Sequence, residues 1–335
     1  MDFTYYSQIS KDQIMGMASS WSSGYNYRLI NAGEIENKGI EIALNTRLIQ
    51  TKDFSWDLNL NFSKNQNKVK ELVDGVDMFE LEKASWLDVQ VAAKVGENYG
   101  SIIGPDFQRN ENGDILIDPS TGLPMYDKSS HILGNASWDW TGGLVTTLAY
   151  KNLSLSAVFD VKVGADLYSM SARSAYESGK ALETLQGREE WYRSEEQRKA
   201  AGFPKGSPDW KPTGGFIAPG VIDNGDGTYR PNDIYINPED YWMSVCRNAP
   251  SMFIYDNSYV KCRELTLTYQ FPKKLLKNVV DNLTISFVAR NPFIVYKNIP
   301  NIDPDSNYNN TTGMGLEYGS LPSRKSYGFN VNIKF

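Results

Sequence analysis

The sequence predicts an all-β fold, an antiparallel transmembrane β-barrel portion of about eight strands with long loops on one rim. Three observations carry this. Several runs alternate apolar and polar side chains with a period of two, which gives a strand one greasy and one polar face. The connections alternate short and long, near 49–53 and 151–152 against 64–137, 160–256 and 297–324. The chain is 41% hydrophobic, with mean hydropathy −0.45, and no stretch approaches the ~18 consecutive apolar residues of a membrane helix. Any crossing is therefore made by strands, whose polar lumen face hides the membrane band in the average.

Taken in order, a partial strand over 2–9 comes first. Over 36–49, Ile40, Ile42, Leu44 and Leu48 alternate with Glu41, Ala43, Asn45 and Arg47. After a short turn, the clearest strand covers 54–66, with Phe54, Trp56, Leu58, Leu60 and Phe62 on one face and Ser55, Asp57, Asn59, Asn61 and Ser63 on the other. Hairpin pairing is expected to set Leu48 opposite Phe54. A second hairpin joins 138–150 to 153–163 through Lys151 and Asn152, making Tyr150 and Leu153 partners. In it Trp138, Trp140, Leu144, Leu148 and Tyr150 are expected on one face. Strands over 257–270 and 282–293 follow, linked around Pro272 to Asp281 by a short helical turn, and 325–335 closes the chain. Trp140 to Tyr150 rises roughly 33 Å, which a tilt of about 40° brings near the ~25 Å apolar band of an outer-membrane barrel.

Composition removes several function classes. A net charge of −6 argues against a nucleic-acid partner, which a basic surface would announce. The chain has two cysteines, Cys246 and Cys262, and one histidine, His131; that inventory leaves no room for a histidine triad or a His/Cys metal cluster. Asp and Glu total 40, yet no acidic pair stands at a recognisable glycosidase motif. The chain reads as a non-enzyme without a cofactor. Met1 to Tyr6 lack a basic segment followed by an apolar one, so this beginning is not a signal peptide and the chain is expected to be a fragment.

The loops carry the remaining candidates. Asn110 to Asp114 and Asp223 to Gly227 are oxygen-rich and contain glycine, as calcium loops do, but they lack a distal bidentate Glu and read first as hairpin turns. Trp191, Tyr192, Trp210, Tyr241 and Trp242 lie in the loop over 160–256 and are candidate glycan contacts, aromatic faces being able to stack on sugar rings; packing within the lobe is the competing reading. A helix is expected over 172–200, with Glu195 and Lys199 spaced for an ion pair and Leu182 and Leu185 in an apolar stripe. Glu41, Asn45, Asp57, Asn59 and Asn61 are the expected lumen-facing residues. A secreted carbohydrate-binding β-sandwich or a β-rich glycoside hydrolase would also use alternating strands, though neither accounts for the alternation of short and long loops.

Motifs add a resemblance. Asn31-Ala32-Gly33-Glu34-Ile35-Glu36-Asn37-Lys38-Gly39-Ile40-Glu41-Ile42 precedes Asp53-Phe54-Ser55-Trp56; then come Gly96-Glu97-Asn98-Tyr99-Gly100, Asn112-Gly113-Asp114, Ala289-Arg290-Asn291-Pro292-Phe293, Asp303-Pro304-Asp305 and Leu321-Pro322-Ser323-Arg324. In this order they resemble the C-terminal barrel region of the SusC/RagA family of TonB-dependent outer-membrane transporters, with Asp305 where a Glu is more usual. The likeness runs from about residue 2 to the end. It implies that residues 1–335 form the last part of a barrel of about 22 strands with a plugged lumen, and that the family's plug domain, TonB box and signal peptide have no counterpart here. This chain alone is then expected not to transport. The resemblance further implies a place in the outer membrane of a Gram-negative bacterium, in contact with lipid. It implies uptake of a glycan or peptide under a SusD-like surface lipoprotein, powered by TonB, ExbB and ExbD. Phe335 would be the terminal aromatic read by the barrel assembly machinery.

Overall fold

The computed structural model describes residues 1–12, 14–18, 24, 27–31, 33–84, 89–276, 280–309 and 313–335. Eight strands form one antiparallel sheet and neighbour each other in chain order. They are β1 (Asp2–Ser10), β2 (Glu34–Gln50), β3 (Phe54–Glu71), β4 (Trp140–Tyr150), β5 (Leu153–Val163), β6 (Tyr259–Gln270), β7 (Asn282–Lys297) and β8 (Ser326–Lys334). Each matches an expected strand to within a few residues. β1 and β8 are the two edges and do not pair with one another, so the sheet is an open wall.

Register carries the alternation across the wall. Trp56 pairs with Leu148, Leu148 with Leu155, Leu155 with Leu267, Leu267 with Phe287 and Phe287 with Phe329, a single apolar row through six strands. Below it Phe54, Tyr150, Leu153, Tyr269, Ile285 and Val331 form the next row, next to the short turns. Leu44, Leu60, Leu144 and Phe159 line up nearer the far rim. Leu148, Leu155, Leu267 and Phe287 are each 36–41% exposed, and neither buried cluster contains any of them. Burial of such a face is favourable at roughly 25 cal/mol per Å², so this surface is built for an apolar neighbour. A sandwich reading would need the face covered, and it is not. A polar pair on this face is closed on itself, the Trp56 indole N–H donating to Thr146 Oγ1 at 2.9 Å.

Two expectations about the wall need correction. The Tyr150–Leu153 pair holds, but Leu48 does not face Phe54: a bulge between Arg47 and Ile49 absorbs Leu48, and Ile49 pairs with Trp56. The extra residue shifts every later partner by one. Trp138 lies outside β4 and turns to the polar side, edge-on to Tyr259 at 5.9 Å and beneath the Lys162 ammonium at 5.5 Å. The helical turn after Pro272 is present as Lys273–Leu276; residues 277–279 of that link, like Ala32 of the strand-entry motif, lie outside the described residues. Both cysteines are free and buried.

The long connections all leave from one rim. Residues 78–135 build a four-stranded antiparallel sheet, Met78–Lys83, Gln90–Lys94, Tyr99–Phe107 and Tyr126–Asn135. Residues 166–256 supply α1 (Met170–Glu177), a 3-10 turn (Leu182–Leu185), α2 (Arg188–Ala200) and α3 (Pro238–Asn248). The two segments share one core, in which Val91, Ile102 and Phe107 meet Tyr168, Phe216, Val245 and Phe253. They are a single folded lobe. The expected helix over 172–200 is broken because Gly179 and Gly187 take positive φ, 67° and 79°, which only glycine adopts without strain. Leu182 and Leu185 are 78% and 53% exposed and form no stripe. Glu195 bonds Arg198, at 2.9–3.1 Å, rather than Lys199.

Candidate functional site

Three features of the wall and lobe can act on another molecule. The first is the polar face of the wall. Asn45 pairs with Asn59, Ala43 with Asn61, Glu41 with Ser63 and Arg47 with Asp57, so Glu41, Asn45, Asp57, Asn59 and Asn61 share that face. Asp57 accepts from Arg47 Nε at 2.6 Å; the other four are exposed. Opposite Asn61 stands Gly143, where a Cβ would come within 2.7 Å of the Asn61 amide. Small residues there keep the asparagine in place.

The second feature was not anticipated from the sequence. Residues 298–309 and 313–325 fold back as a strap across the polar face at β5 and β6. Lys261, 1% exposed, donates to Asp303 Oδ1 at 3.0 Å, Asp305 Oδ2 at 2.6 Å and Ser323 Oγ at 2.6 Å. Arg263, the extra residue of a bulge between Cys262 and Glu264, donates to Asp305 Oδ1 at 2.8 Å and through Nε to Asp160 Oδ2 at 3.1 Å. The Tyr259 hydroxyl donates to the same two carboxylates at 3.0 and 3.1 Å. Burial by itself would raise the Asp305 carboxyl, but the hydrogen bonds and charges of Arg263 and Lys261 outweigh it and hold the group well below the usual carboxylate range. Asp303 is lowered in the same manner, its burial outweighed chiefly by Ser323.

The strap also grips the lobe. Leu316–Glu317 pairs in parallel with Tyr168 and Ser169, and Glu317, 2% exposed, accepts from Ser169 Oγ, Ser171 N, Ser171 Oγ and Ser320 N at 2.6–3.2 Å. These hydroxyl and backbone N–H donors, three of them from the lobe, satisfy the buried carboxylate. A signal for the strap was present: two cations, Lys261 and Arg263, interrupt an otherwise apolar-alternating strand. Their partners lie some forty residues away, beyond the reach of any periodicity.

The third feature is a cleft of about 780 Å³ among α1, the 3-10 turn, α2 and α3, lined in part by Tyr176, Trp191, Tyr192, Lys199, Lys205 and Trp242. The five aromatics singled out from the sequence separate here. Trp191 is half-buried and Tyr192 is 65% exposed. Trp242 forms part of the cleft wall, packed between the tilted ring of Tyr176 at 4.7 Å and the edge-on ring of Tyr241 at 4.9 Å. Tyr241, 3% exposed, sits in the core against Phe216 at 4.5 Å and offers no free face. Trp210 packs on Phe203 at 5.7 Å away from the cleft. Burial pushes the Tyr241 phenol up to about 12, and burial followed by the neighbouring Glu239 raises Asp240.

The oxygen-rich segments are turns. Val221–Asp223 pairs with Tyr229–Pro231, and between them Gly225 N–H donates to Asp223 Oδ1 and Thr228 N–H to Asp226 Oδ1, at 2.7 and 2.9 Å. Asn110 Oδ1 likewise accepts from Asn112 N and Asp114 N. Phe335 follows β8 and is exposed.

Comparison with known proteins agrees with this architecture. No family model matches the chain. TonB-dependent receptor P3 of Formosa agariphila is 25% identical over 100% of this chain and 32% of its own length. TonB-dependent receptor SusC of Bacteroides thetaiotaomicron is 21% identical over 91% of this chain and 27% of its own. A chain of the RagAB peptide importer superposes with a TM-score of 0.67 at 18% identity, covering 99% of this chain and 33% of that one. The open antiparallel wall with its long connections on one rim is thus the fold seen over a third of that importer chain. The curated relatives that cover this chain are named TonB-dependent receptors, SusC among them, and are not enzymes. The chain spans about a third of the length of the curated relatives it matches.

Proposed function

We propose that this chain forms part of the wall of an outer-membrane TonB-dependent importer for oligosaccharides or peptides. The observation that carries the reading is the uncovered apolar face, whose rows run unbroken across β3 to β8. From the aromatic row at Phe54 and Tyr150 to Trp140 at the other end, ten steps of β4 rise ~33 Å along the strand, shortened by tilt to about the thickness of a bilayer core. Lipid is the neighbour such a face requires. On this reading the short turns lie in the periplasm, the lobe lies outside the cell and the polar face with Glu41, Asn45, Asp57, Asn59 and Asn61 lines the lumen. A SusD-like lipoprotein would cap the lobe side, and coupling to TonB, ExbB and ExbD would come from regions beyond this chain. The barrel assembly machinery would insert the wall.

Deletion of the coding region in its host tests the reading. The account expects the deletion strain to lose growth on one oligosaccharide or peptide source with growth on the corresponding monomers intact, and the undeleted host to carry the protein in its outer-membrane fraction. Recovery as a soluble periplasmic protein would overturn it.

A further inference from the structure

We infer that the outward face of β2, β3 and β4, next to the rim that carries the long connections, is a docking site for a phosphorylated glycolipid of the outer leaflet. One acyl chain would lie in a groove floored by Gly142, and phosphate would meet Lys64 and Lys68. The inference rests on the outer-membrane reading above and goes beyond it, since that reading asks only for lipid of any kind.

The groove comes from one missing side chain. Gly142 pairs with Phe62 on one side and Val161 on the other, and Trp140 and Leu144 are its neighbours on the same face of β4. With no Cβ there, Ile42, Leu60, Phe62, Trp140 and Leu144 surround a hollow of about 420 Å³, within the ~300–1,000 Å³ of small-molecule sites. The Phe62 and Trp140 rings stand 5.6 Å apart at its outer end. No charged side chain lines it. A gap in an apolar surface forfeits dispersion contact unless something fills it, and a hydrocarbon chain fits this lining.

Charge sets the headgroup. Beyond the groove, toward the rim, β3 carries Lys64, Gln66, Lys68 and Lys70 on the same side, and Lys38, Glu36 and Glu34 of β2 lie beside them. Glu36 is held by Lys38 at 2.5 Å and Lys70 at 2.9 Å, and Glu34 by Lys11 at 3.3 Å. Glu71 ends the strand beyond them, and Asp139 lies over Gly164. Lys64 and Lys68 are exposed, and no carboxylate pairs with either among the described residues. Two free ammonium groups next to an apolar groove fit an anionic headgroup on acyl chains.

Depth separates a glycolipid from a phospholipid. Lys64 stands two residues past Phe62 and Lys68 six, roughly 7 and 20 Å along the strand. A tilt of about 40° places them roughly 5 and 15 Å beyond the groove. A phospholipid headgroup layer is only about 5–8 Å deep. It covers Lys64 and leaves Lys68 bare, whereas a saccharide headgroup carrying phosphate reaches both.

The test is native mass spectrometry of the full-length protein extracted from its host's membranes, freed of retained lipid and titrated in detergent with rough lipopolysaccharide, its enzymatically dephosphorylated form and phosphatidylglycerol. The expected result is saturable retention of the lipopolysaccharide, about tenfold stronger than of either control and weakened about tenfold by Lys64→Gln combined with Lys68→Gln. Lys68→Gln alone is expected to weaken lipopolysaccharide and leave phosphatidylglycerol unmoved. Gly142→Val, which fills the groove floor, is expected to weaken all three lipids. Both lysines are exposed, so a misfolded Gly142→Val leaves the test intact. Retention of lipopolysaccharide unmoved by the lysine substitutions, or phosphatidylglycerol held as tightly, would overturn the proposal. Fractionation of the same host membranes, scored separately, shows whether the outer-membrane reading fails with it.

Discussion

Lys261 is nearly out of contact with water and yet carries a charge that three oxygens of the strap surround. Removing one partner of such a cluster leaves the others buried and unpaired, at a cost of about 3–5 kcal/mol. Lys261→Met is therefore expected to release the strap, read as fast amide exchange over residues 298–325 with the wall still protected. Acid provides a second test. Asp303 and Asp305 sit below their ordinary range when folded, so their contribution is full above about pH 5. It shrinks as pH falls through the unfolded value near 3.9, and is gone only below the depressed folded values. Strap protection should thus persist at pH 5 and fade in stronger acid; fading on the alkaline side of neutrality would contradict the assignment. At this scale the sequence is least readable. Asp303 and Asp305 were visible only as a motif, and their role depends on a bulge at Arg263 that no periodicity signals.

At the scale of elements, the wall strands were legible because their signal is local: in β3, Phe54 to Phe62 repeat every second residue, and pairing partners follow from two-residue turns. Leu48 shows the limit, since one bulge moves a residue out of register without any mark in the sequence. The lobe was hidden for a different reason. Its core joins Val91 and Ile102 to Val245 and Phe253, residues more than a hundred positions apart, so the two segments read as separate loops, and Tyr241 read as surface. Three substitutions probe these elements. Leu144→Arg, on the uncovered face, is expected to cost about 2–4 kcal/mol at mid-membrane depth, while Thr147→Arg, on the polar face opposite Asp57, is tolerated; refolding titrations into lipid vesicles compare them. Gly187→Ala adds a Cβ 2.7 Å from the Gly215 backbone at a φ of 79°. It should destabilise the start of α2 by about 1–3 kcal/mol, visible as a lower melting temperature of the lobe.

The whole molecule is a wall with two open edges, β1 and β8. Unpaired edges and an uncovered apolar face are both unstable in water, and on the proposed reading both would be resolved at once by further strands closing the ring and lipid surrounding it. The strap and lobe would then sit on the inner and upper sides of that ring, where the proposed cargo would pass. The central claim is that alternate residues of one strand meet lipid and water in turn. Single spin labels placed along β4 from Leu144 to Tyr150, in the protein reconstituted into bilayers, measure this directly through collision rates with oxygen and with a water-soluble nickel chelate. The account predicts a period of two, with Leu144, Thr146, Leu148 and Tyr150 favouring oxygen and Val145, Thr147 and Ala149 shielded from lipid. Uniform accessibility to the nickel chelate, or no alternation at all, would contradict it.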